Sequence, residues 1–158
     1  MGLKYICIMS SLLGVSQKCQ YALRALFELA LRYPSENVTT VAEIAEKQQI
    51  PLRFLEQILS KLRAGGYIES RRGNQGGYVM TVSPSSISVG EIIRFIEGPN
   101  ESIDCLKRNG RCPFTGGCAF KDLWEKAKSS LTEIFDGTSF QDLIGKHNRE
   151  GCLFDYMI

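Results

Sequence analysis

The chain has 158 residues, 44% hydrophobic and 23% charged, with a formal net charge of +2. Such values suit one globular domain with its own core, and no run reaches the roughly 18 apolar residues of a membrane span. A charge of +2 is too mild to argue for nucleic acid by itself, so its distribution matters more. Within residues 53–72 five basic residues (Arg53, Lys61, Arg63, Arg71 and Arg72) stand against two acidic ones, Glu56 and Glu69.

Residues 1–15 include an apolar run at 5–13, with one lysine and no small-x-small site before Lys18. This reads as an extension, disordered or preceding the true start, rather than as a signal peptide. The expected setting is therefore the cytoplasm, where clustered cysteines favour metal or redox chemistry over structural disulfides.

The first helix is expected over residues 20–33, where Ala22, Ala25, Leu26, Leu29, Ala30 and Tyr33 form one stripe that Pro34 ends. Thr39 or Thr40 then caps a short helix with Val41, Ile44 and Ala45 inward, and Glu43 completes a capping-box pattern with Thr40. Gln48-Gln-Ile50 makes a turn, and Pro51 occupies the first position of the next helix. There Leu55, Ile58, Leu59 and Leu62 complete an i, i+3, i+4, i+7 set, stopped by Gly65-Gly66. Alternating residues 67–72 and 78–82 form two strands around a Gly-rich turn, Pro84 closes the hairpin, and 89–96 is a short helix.

A long helix is expected over 120–135, with Phe120, Trp124, Ala127, Leu131 and Ile134 in the alternation of a coiled-coil seam. That seam is the expected dimer interface. Gly137 ends the helix, Thr138 or Ser139 caps a short terminal helix around 140–144, and a tail follows. The fold class is thus mainly α with a small β-hairpin: a winged helix-turn-helix plus a long C-terminal dimerisation helix. Its parts are an extension (1–15), the winged unit (16–98, with the helix-turn-helix about 41–64 and the wing about 67–82), a cysteine loop (99–119), the dimerisation and terminal helices (120–146) and a tail (147–158).

In a winged helix-turn-helix the second helix of the pair enters the major groove, and the hairpin touches neighbouring DNA. Arg53, Glu56, Gln57, Ser60 and Lys61 must then point away from the core stripe. Arginine suits guanine, glutamine adenine and glutamate the cytosine amino group, whereas Lys61 suits a phosphate. Arg71 and Arg72 precede the flexible tip, where a guanidinium can enter a narrow minor groove.

Cys105, Cys112 and Cys118 share one loop with Gly110, Gly116 and Gly117, at spacings that let three sulfurs converge. Lys107, Arg108 and Arg111 surround them with positive charge, which favours thiolate. An iron–sulfur cluster, zinc and simple thiol chemistry all remain open on these residues, although the closely spaced cysteine pairs usual for structural zinc are missing.

The segments Tyr21-Ala-Leu-Arg24, Leu55-Glu-Gln57, Arg72-Gly-Asn-Gln-Gly-Gly-Tyr78 and Val89-Gly-Glu-Ile92 resemble the IscR/NsrR/CymR-type (Rrf) family of bacterial winged-helix transcriptional regulators, over roughly residues 16–145. The resemblance implies a homodimer on a partly palindromic double-stranded DNA operator, with Glu56 and Gln57 at the groove and Arg72 in the wing. It also implies a cluster, [2Fe–2S] or [4Fe–4S], on Cys105, Cys112 and Cys118. The fourth ligand stays open. One branch uses a histidine where Lys121 stands here, and another uses the partner's first helix at the position of Gln20, next to Cys19.

The expected function is a transcriptional regulator whose operator affinity follows a cluster sensing iron, redox or nitric oxide status. A metal-free thiol- or metabolite-sensing regulator is the first alternative, and an iron–sulfur electron carrier or redox enzyme the second. Against the latter, the sequence has no nucleotide-binding glycine motif, no second cysteine set and no catalytic constellation.

Overall fold

A computed structural model describes residues 15–35, 37–73, 76–98 and 118–154, with side chains described as far as Arg149. Residues 1–14 and the loop positions Cys105 and Cys112 lie outside the described residues. The order is α1 (Gln17–Ala30), α2 (Val41–Gln48), α3 (Leu52–Ala64), β1 (Ile68–Arg71), β2 (Gly77–Met80), a 3-10 turn (Pro84–Ser86), α4 (Val89–Glu97), α5 (Lys121–Asp136) and α6 (Phe140–Phe154).

α1 is the hub, touching α2, α3, α4 and α6. Its buried face alternates small and large residues, with Cys19, Ala22 and Ala25 beside Leu26 and Leu29. Small side chains let neighbouring backbones approach, and the larger ones fill the layer between them. The helix begins earlier than its apolar stripe indicates, because the Ser16 side chain accepts from Cys19 N at 3.1 Å.

α2 and α3 follow the expected signals. Thr40 caps α2 by accepting from Glu43 N at 3.2 Å, and Gln49 turns the chain with φ 50°. The Glu43 carboxylate does not close the capping box. It pairs instead with Arg32 and with Lys47, and the Arg32 guanidinium holds it below the usual carboxylate range. Pro51 is the cap residue of α3 rather than its first helical residue. Leu55, Ile58, Leu59 and Leu62 are each at most 1% exposed, and burying such a side chain contributes about 1.5–3 kcal/mol. Glu28, 3% exposed, accepts from Lys47 Nζ at 3.2 Å and Gln48 Nε2 at 3.0 Å, which ties α1 to α2.

The hairpin pairs Ile68 with Met80 through to Arg71 with Gly77, a shorter ladder than the sequence alternation implies. Thr39 bridges Tyr78 on the outer side of β2, with both backbone bonds made, at 3.0 and 2.9 Å. Gly77 is required there, since a Cβ would lie 2.6 Å from the Thr39 carbonyl oxygen. The wing and the approach to α2 are therefore one hydrogen-bonded piece.

The C-terminal end departs most from expectation. α6 does not stop near 144 and residues from 147 are not simply a tail, for the helix runs to Phe154. Ser139 and Asp142 cap it reciprocally, and that hydrogen bonding lowers the Asp142 pKa. Further along, the His147 ring stands edge-on to Phe27 of α1, with centroids 5.6 Å apart. That tertiary contact carries the helix past the point where its own apolar pattern fades.

Candidate nucleic-acid interface and cysteine site

α3 presents Arg53, Glu56, Gln57 and Ser60 to solvent, opposite the core stripe. Lys61 is different. It is half-buried, donates from Nζ to the Ile96 carbonyl at 2.8 Å and lies over the Phe95 ring at 5.5 Å. The expected phosphate contact is thus engaged within the chain, tying α3 to the last turn of α4. Two apolar residues on the first turn of α3 were missed, Leu52 at 53% and Phe54 at 40% exposure. On a helical wheel they border the two edges of the Leu55–Leu62 stripe, so helical spacing gives no sign that either is exposed.

In the wing, Arg71 Nε reaches Glu69 at 3.0 Å and Arg72 is exposed at the edge of the tip. Residues 74–75 of the tip lie outside the described residues. The α3 face and the wing are fixed together from behind, since Thr81 Oγ1 donates to Gly66 O at 2.7 Å and Tyr67 N donates to Leu62 O at 3.1 Å.

Of the three loop cysteines only Cys118 is described. It is free and half-buried, and its carbonyl accepts from Lys121 N at 3.2 Å where α5 begins. Lys121 pairs with Glu125 at 3.8 Å on the exposed face of α5. The three thiols are the donor chemistry of an iron–sulfur cluster, so the residues present fit that group.

The candidate fourth ligands fit it less well. Cys19 has no exposure. Burial first, and then the Glu97 carboxylate beside it, push its thiol up to about 12. Without exposure, Cys19 packs as a small apolar residue of the core. Gln20 is half-buried, with its amide donating to Val15 O at 3.3 Å.

No residue of α5 is buried. Phe120, Trp124 and Ile134 are 59%, 38% and 61% exposed, and Leu123, which the seam pattern omits, is 54% exposed. Ala127 is exposed and Leu131 half-buried. α5 is fastened near its end, where Arg94 meets Asp136 at 2.7 Å. Its apolar stripe is left without cover by the described residues.

A helix-turn-helix with a polar exposed face, followed by a basic hairpin locked to it, defines a winged-helix DNA-binding regulator of transcription. Comparison with known proteins makes this specific. The profile of the Rrf2 family, described as an iron-dependent transcriptional regulator, matches residues 15–146, and the chain belongs to that family. An rrf2-like HTH-type transcriptional regulator of Rhodobacter capsulatus is 34% identical over 148 residues, covering 89% of this chain and 99% of that protein.

Among solved structures, T. potens IscR superposes with a TM-score of 0.68 at 34% identity, covering 84% of this chain and 87% of its own. CymR, the global cysteine regulator of B. subtilis, gives 0.71 at 32%, covering 84% and 96%. The relatives are transcriptional regulators, not enzymes, which sets aside the redox-enzyme reading. No helix among the described residues is long and apolar enough to cross a membrane.

Proposed function

We propose that the protein acts in the cytoplasm as a homodimer on a partly palindromic double-stranded DNA operator, and that a [2Fe–2S] or [4Fe–4S] cluster on Cys105, Cys112 and Cys118 sets its operator affinity. Arg53, Glu56, Gln57 and Ser60 read base edges, and Arg71 and Arg72 serve the wing. The stripe from Phe120 to Ile134 joins the two copies.

One observation supports the cluster's control of DNA. The cysteines lie on the segment between α4, which Lys61 ties to the base-reading helix, and α5, whose apolar stripe awaits a partner. When bound, a cluster supplies an iron centre that can be oxidised, nitrosylated or lost, which changes what the three sulfurs hold. A shift at either end of that segment alters the spacing of two recognition helices, which must match half-sites about one helical turn apart. Iron, redox poise and nitric oxide are the signals this chemistry admits.

The metal-free reading, a thiol or metabolite sensor, draws support from Lys121 at the position of a possible histidine ligand and from the likeness to CymR. Protein purified without oxygen separates the two. The cluster reading expects visible charge-transfer absorbance with iron and sulfide by assay, and at matched salt an operator affinity that differs between loaded protein and Cys112→Ala. A colourless protein, or equal affinities, overturns it.

A further inference from the structure

We infer that Phe54, braced by Tyr21, is a positioning residue that holds the Arg53 guanidinium for guanine recognition. This rests on the DNA-reading role of α3 proposed above.

Arg53 is the second residue of α3, in the turn that faces base edges when such a helix enters the major groove. A bidentate contact to guanine O6 and N7 needs the guanidinium plane fixed in one orientation. An exposed arginine on a flexible stem otherwise loses much rotamer freedom on binding. Here its Cζ sits 4.6 Å from the centroid of the Phe54 ring, within the range of a cation–π contact. Among the described residues no carboxylate pairs with Arg53, so its N–H fork stays open to an acceptor.

Phe54 is 40% exposed on a helix that closes Leu55, Ile58, Leu59 and Leu62. It is not adrift. Its ring lies 6.3 Å from that of Tyr21 on α1, tilted by 41°, and the Tyr21 hydroxyl accepts from Gln17 Nε2 at 3.0 Å. A line of contacts thus runs from the first turn of α1 through two rings to the guanidinium. The ring restrains the guanidinium carbon, and the arginine's N–H groups remain the donors a base would meet. Base preference at one operator position then depends on the aromatic pair as well as on Arg53.

The test is selection of full-length protein on a random duplex library, with wild type, Arg53→Ala, Phe54→Leu and Phe54→Tyr compared. Arg53→Ala locates the position at which guanine preference is lost. Phe54→Leu is expected to lower guanine-over-adenine preference at that same position by about threefold to tenfold, and Phe54→Tyr to restore it. If Phe54→Leu keeps the wild-type preference there, or loses it at every position alike, or acts only at a thymine, the inference is overturned while the DNA-binding reading stands. A wild-type protein that enriches no site overturns that reading and the inference with it.

Discussion

Cys19 and Cys118 place the same thiol in opposite surroundings, one with no exposure in the core and the other half-exposed at the start of α5. For Cys19 the enclosure has a consequence in alkali. Its thiol ionises near 12 in the folded protein against an ordinary value of 9.0, because burial and then Glu97 oppose the charge. Above pH 9.0 the unfolded chain has lost a proton that the folded chain retains. The stabilisation is therefore whole below that pH and disappears as pH rises through about 12. Denaturant titrations should show the unfolding free energy of wild type falling more steeply across this window than that of Cys19→Ala. Tyr67, also pushed up to about 12, by burial and by Glu91, is present in both proteins and cancels. Parallel slopes would refute this account of Cys19.

At the scale of elements, α5 is the helix whose sequence pattern and setting disagree most within a single copy. Its seam is apolar, yet none of its residues is buried. In a dimer built on that seam, Trp124→Ala should weaken self-association by roughly 30-fold or more, the cost of truncating an interface aromatic by about 2 kcal/mol. Sedimentation equilibrium measures it, and an unshifted dissociation constant would move the interface elsewhere. The helical signal in circular dichroism should hold, since α5 contributes no buried residue to the core of its own chain.

The same element shows what a sequence can reveal. Its length was legible because helical spacing and Gly137 are local signals. α6 was read too short because what extends it, His147 against Phe27, is a contact between residues far apart in the chain. The tie of Lys61 to α4 is hidden from the sequence for a similar reason. Helical spacing set it on the outer face correctly, but only the fold brings the end of α4 within its reach. Gly77 passed as an ordinary turn residue, and its requirement comes from Thr39, on another segment altogether.

For the whole molecule, a net charge of +2 leaves little general attraction to DNA, so individual cations must count. Arg72, exposed at the wing edge, should behave as one such contact. In Arg72→Ala the slope of log affinity against log salt is expected to fall by about 1 per half-site. Binding measured across a salt series gives that slope directly, and one identical to wild type would remove Arg72 from the interface. The wing itself should keep its position in this variant, because Thr39, Thr81 and Tyr67 hold it without the Arg72 side chain.

The tie between Lys61 and α4 is unequal in its two halves. The donor is a single side chain, but the acceptor is the main-chain carbonyl of Ile96, which every amino acid carries. Changes of side chain at position 96 cannot delete the bond, whereas almost any change at position 61 other than arginine can. Random mutagenesis aimed at uncoupling α3 from the cysteine segment would therefore find most of its lesions on one side of the contact. The donor side of that bond is thus encoded by one codon, whereas its acceptor is common to every residue.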